Sequence, residues 1–84
     1  MTVDYSYRRY PNRLRAIRQN AGYSQQAVAR LLRHKNSSLL SRWEGEKAIP
    51  SVPNLIRLCI LYGKTVQELY PEYCKRIEQA LQDP

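Results

Sequence analysis

The stretch SQQAVARLLRHKNSSLLSRWE, residues 24–44, constrains the fold more than any other part of the chain. It reads as two short helices joined by a tight, basic turn. Ser24 is a good N-cap, because its hydroxyl can accept from the amide of Ala27 at the head of a helix. Val28, Leu31 and Leu32 follow at i, i+3, i+4 and form one apolar stripe. Arg33-His34-Lys35 then makes a polar break without glycine, and Asn36 or Ser37 can cap a second helix. Leu40 and Trp43 fall three apart and give that helix its own inward face. Each helix therefore has one face to bury, and the pair can pack only at a large angle across a short turn.

The rest of the chain predicts a compact all-α fold. Its 84 residues give one domain with a small core, too small for a deep catalytic cleft. Helix 1 is expected from Pro11 or Asn12 to Asn20, with Leu14, Ile17 and Ala21 inward and Gly22 as its left-handed end. Ser51 caps helix 4, Pro53 fits its first turn, and Leu55, Leu58, Cys59 and Tyr62 form the inner face up to Gly63. Thr65-Val66-Gln67-Glu68 has capping-box form and opens a short helix 5 with Leu69 inward. Pro71 begins a sixth helix whose Cys74, Ile77 and Leu81, with Tyr73 and Ala80 alongside, make a stripe that must cover something. The organisation expected is a flexible, tyrosine-rich arm over 1–10, a helical domain over 11–70, and a C-terminal helix over 71–84 that packs on the domain or dimerises.

Charge narrows the partner. Of the fourteen basic side chains, ten lie between residues 8 and 47 against two acids, Glu44 and Glu46, whereas from 48 to 84 four bases balance four acids. The net charge of +7 thus belongs to the half that contains the helix pair, as expected of a face turned toward phosphate. Cys59 and Cys74 read as reduced, part-buried small hydrophobes. These two and the lone His34 are too few for a zinc site. With one histidine, no paired acids and no phosphate-cradling glycine loop, neither an enzyme nor a cofactor is expected. No apolar run is long enough to span a bilayer and Met-Thr-Val-Asp is not a signal peptide, so a cytoplasmic protein is expected.

Between Leu14 and Leu69 the chain resembles the lambda-repressor-like (Cro/XRE-type) helix-turn-helix family of DNA-binding regulators. The resemblance is carried by LRAIRQNAGYSQ (14–25), SRWE (41–44), IPS (49–51) and LYGKTVQELYP (61–71). It implies a five-helix DNA-binding domain, here followed by the sixth helix. It also implies that Arg18 pairs with Glu44, tying helix 1 to the end of helix 3, and that Gln25 holds a phosphate at the head of helix 2. Two features depart from the family pattern. The turn is one residue longer and has Arg33 where glycine is usual, and in Glu44-Gly45-Glu46 the glycine stands one place early.

A helix laid in the major groove reads base edges while phosphate contacts hold its register. With Leu40 and Trp43 inward, Ser37, Ser38, Ser41 and Arg42 share the outward face of helix 3, and Asn36 in the turn joins them as a base-reading candidate. Arg42 is the strongest for specificity, because a guanidinium can bond guanine O6 and N7 together. Leu39 flanks this face and is expected to pack against helix 2, the alternative being contact with a thymine methyl. Arg13, Arg33, Lys35 and Lys47 join Gln25 as phosphate candidates. One such helix reads few base pairs, so a homodimer on a palindrome is expected, with Ile60, Leu61 and the last helix as the partner surface. The function expected is sequence-specific double-stranded DNA binding by a small transcriptional regulator, a repressor. The alternative, of a different class, is an antitoxin-like interaction module that neutralises a protein partner and represses its own operon.

Overall fold

The structure, a computed structural model, describes residues 9–82. Six helices follow one another: α1 Leu14–Asn20, α2 Gln25–Leu31, α3 Ser38–Glu44, α4 Val52–Tyr62, α5 Val66–Leu69 and α6 Pro71–Gln82. There is no strand among the described residues. The core gathers Leu14, Val28, Leu32, Leu40, Trp43, Leu58, Tyr62, Leu69 and Tyr70, drawn from every element but α6. Trp43 is its largest member, and α3 packs on both α1 and α2 around it.

Local chemistry sets the helix starts. Ser24 Oγ accepts from Ala27 N at 3.0 Å, Ser51 Oγ accepts from Asn54 N, and Thr65 with Glu68 closes a reciprocal capping box. Helix α1 starts at Leu14, later than its sequence suggests, because Asn12 stands outside it and accepts the Leu14 amide on Oδ1.

The helix ends share one device. After α1, α2, α3 and α4 the chain turns through a single left-handed residue, and the next amide reaches back to a carbonyl in the last turn: Tyr23 to Arg18, His34 to Ala29, Lys47 to Arg42 and Lys64 to Cys59. Gly22 and Gly63 make two of these turns; Arg33 at φ +62° and Glu46 at φ +65° make the others. Both departures from the family pattern noted above thus fall at a position that prefers glycine. Holding a side chain there costs of order 1 kcal/mol. Arg33→Gly is therefore expected to stabilise the domain by about 1 kcal/mol, raising its melting temperature by about 4–8 °C.

Three expectations are corrected. Leu31 is 56% exposed, and Ala29 at 2% replaces it in the buried stripe of α2. Val28, Leu32 and Ala29 share an arc of about 100° around α2, and Leu31 lies about 60° outside that arc, on the side turned from the core. Ala21 is exposed, since α1 ends at Asn20 and the chain turns away. Leu39 does not pack inward, being 41% exposed. The α6 stripe, expected to meet either its own domain or a second copy, meets its own domain only at its start. Tyr73 and Cys74 are half-buried, whereas Ile77 and Leu81 are exposed because α6 runs on past α5, its packing partner.

Most of the expected arm, residues 1–8, lies outside the described residues. Tyr10 packs on the core. Its ring meets Tyr73 edge-on at 5.5 Å, and its amide donates to the Glu46 carbonyl.

Candidate nucleic-acid interface

The local fold leaves α3 with two chemically distinct sides. Leu40 and Trp43 are each 1% exposed and Glu44 is buried, whereas Ser38, Leu39, Ser41 and Arg42 are exposed. Ser37 is half-buried at the N-cap position, where its side chain makes no capping bond. That task passes to Asn36, whose Oδ1 accepts the Ser38 amide at 2.9 Å. Asn36 is exposed in the turn with Arg33 and Lys35, and Lys47 is exposed in the loop that leaves α3. The base-reading candidates and three of the five phosphate candidates therefore occupy α3 and its two flanks.

The other two phosphate candidates stand elsewhere. Gln25 is half-buried, and its Nε2 donates to Glu44 Oε1 at 2.9 Å. A glutamine amide has two N–H groups, and this bond occupies one. Arg13 is exposed and lines three grooves, one with Lys64, Gln67 and Pro71, one with Arg15, Gln19 and Glu44, and a smaller one with Pro11, Glu46 and Glu72. None of the three contains a residue of the turn or an outward residue of α3.

The strip is held from behind by a buried charge network. Arg18 Nε donates to Glu44 Oε2 at 2.6 Å and Arg18 Nη2 to Oε1 at 3.1 Å, a two-pronged contact between α1 and the end of α3. Arg18 Nη1 also donates to the Tyr23 carbonyl. Arg15, whose side chain stays mostly in solvent, approaches Glu44 Oε1 at 3.5 Å. Burial alone pushes the Glu44 carboxyl up. Hydrogen bonds from Arg18 and Gln25, the Arg18 charge and the Arg15 contact outweigh it and hold the carboxyl below its usual range. Burial, followed by the nearby Glu44 charge, pushes the Tyr62 phenol up to about 12.

Two positioning residues escaped the sequence reading. Asn12 Nδ2 donates to the Trp43 carbonyl at 2.8 Å and to the Tyr10 carbonyl at 3.0 Å, so one side chain joins the chain entry, α1 and α3. The sequence reading places Asn12 at the start of helix 1, and nothing in the sequence signals the long-range bond. Arg15 reads as a solvated residue on the outer face of α1, and only the fold brings it to Glu44. On the turn, His34 packs edge-on against Trp43 at 5.9 Å, coupling the two helices at their join.

Two short helices across a basic turn, the second braced by a bidentate ion pair and exposing a polar strip, define a helix-turn-helix domain. A family model described as helix-turn-helix matches residues 14–69, two-thirds of the chain, and the chain belongs to this family of lambda-repressor-like, Cro/C1-type DNA-binding regulators. No curated protein and no solved structure matches the chain. The family's members are typically not enzymes. Among the described residues no helix is long and apolar enough to cross a membrane.

Proposed function

We propose that the protein is a sequence-specific transcriptional repressor that lays α3 in the major groove of duplex DNA. The observation that carries this reading is the braced polar strip: Arg42 and the serines face outward on a helix whose far side is locked to α1 by Glu44. Arg42 takes a guanine, Ser37, Ser38, Ser41 and Asn36 make small or water-mediated contacts, and Arg33, Lys35 and Lys47 hold phosphates at both ends of α3. Gln25 adds an N–H at the head of α2, and Arg13 has the weakest support of the phosphate set. Occupancy alone excludes other proteins from the bound duplex, which favours repression.

One α3 reads too few base pairs to find a unique site, and a homodimer would double that length. Exposed apolar residues at the spacing of one helix face, Val52 (69%), Ile56 (53%) and Ile60 (76%) on α4, support a second chain as neighbour. The same row favours, as a second reading, a different protein in that place, as an antitoxin would have.

Selection of bound fragments from a pool of random duplexes tests the proposal. A palindrome with half-sites about one helical turn apart is the expected product. Affinity for it should fall ~10³-fold between 50 and 200 mM salt if about six phosphates are contacted. Recovery of no sequence, with a stoichiometric protein partner instead, would overturn it in favour of the second reading.

A further inference from the structure

Leu39 does not fit a purely polar reading strip. It is 41% exposed, although the next residue along, Leu40, is 1% exposed. The two lie about 100° apart around α3, which turns between them from surface to core. Three residues on stands Arg42, at the spacing that places helical side chains side by side with Cβ atoms about 5–6 Å apart. The other outward residues of α3, Ser38 and Ser41, are short, so Leu39 projects past them. No other large apolar side chain of α3 is exposed.

In a major groove such a side chain has one kind of apolar partner. The base edges there present acceptors and donors, and the exception is the C5-methyl of thymine. Over any other edge, leucine strips water from a polar atom and returns no hydrogen bond, which is unfavourable. Over a thymine it buries two apolar groups against each other. We infer that Leu39 is a specificity-determining residue that selects a thymine through its methyl group. That thymine stands about one or two base pairs from the guanine taken by Arg42, given a rise of about 3.4 Å per base. The inference rests on the proposal that α3 enters the major groove.

The test uses the full chain and the duplex it selects from a random pool, with each thymine replaced singly by deoxyuracil, which lacks only the methyl. At one thymine per half-site, affinity should fall about fourfold, the transfer value of one methyl group. Leu39→Ala should bind the thymine and uracil duplexes equally at that position while still losing affinity when the Arg42 guanine is changed. Leu39→Met, which keeps an apolar side chain, should retain the uracil penalty and shows that loss of the effect is not loss of folding. If a sequence is selected but no uracil costs affinity, or the penalty persists undiminished in Leu39→Ala, the inference falls and the groove reading stands. If no sequence is selected, both fall.

Discussion

Glu44→Ala is expected to destabilise the domain by about 3–5 kcal/mol. The reason is what it leaves behind. Arg18 is 8% exposed, its guanidinium donates twice to Glu44, and it cannot shed its charge. Small domains hold only about 5–15 kcal/mol in all, so this one substitution removes a large share. Arg18→Ala is expected to cost less, because the carboxylate it abandons keeps Gln25 and Arg15 and can take up a proton. Replacing both by apolar residues of similar volume should be milder than either single change. Glu44 also sets an acid limit. Its folded pKa lies below the ordinary 4.5, so the stability it contributes is complete above pH 4.5 and is lost as pH falls through the depressed value. Glu44→Gln should lose that dependence. Thermal melts across pH 3–7 measure all of this, and equal, neutral melts for Glu44→Ala and Arg18→Ala would show that the network does not hold α3.

The second large effect concerns binding rather than folding. Arg42→Ala should weaken binding to the selected duplex about 10–100-fold, the 1–3 kcal/mol of one bidentate base contact, and abolish preference at a single guanine. Arg42→Lys should not restore that preference, since an ammonium lacks the planar fork. Lys35→Ala and Lys47→Ala should behave differently, weakening every duplex alike and reducing the salt slope by about 1 each. Gel-shift titrations against the selected site and its guanine variant separate the two patterns. Unchanged base preference in Arg42→Ala would remove that residue from the reading strip.

Much of this was legible in the sequence because it depends on local chemistry. Serine and threonine caps, glycine at two helix ends and apolar spacing of three or four place most of α2 to α5 within a residue or two. The same logic failed at Ala21, where α1 ends before the stripe does, and at Leu31, where the core covers the Ala29 side of the stripe instead. The Arg18 and Glu44 pairing came from family resemblance, since no periodicity links residues on different helices. Asn12 and Arg15 were illegible for the same reason: their partners are distant in sequence and are brought near only by the finished fold. Arg33 and Glu46 show the reverse case. The chain lacks glycine where the family carries it, and the backbone adopts the left-handed turn regardless, because the returning amide bonds of His34 and Lys47 require it.

The three bonds of Asn12 bear on how small this unit can be made. A fragment trimmed to the family-matched residues 14–69 would discard that side chain, depriving the Trp43 carbonyl of its donor and the Leu14 amide of its acceptor. It would also strip Tyr10 and Tyr73 from the core they cover. The packed unit is therefore larger than the recognisable motif, and a fragment that keeps these contacts starts ahead of Tyr10 and ends beyond Cys74.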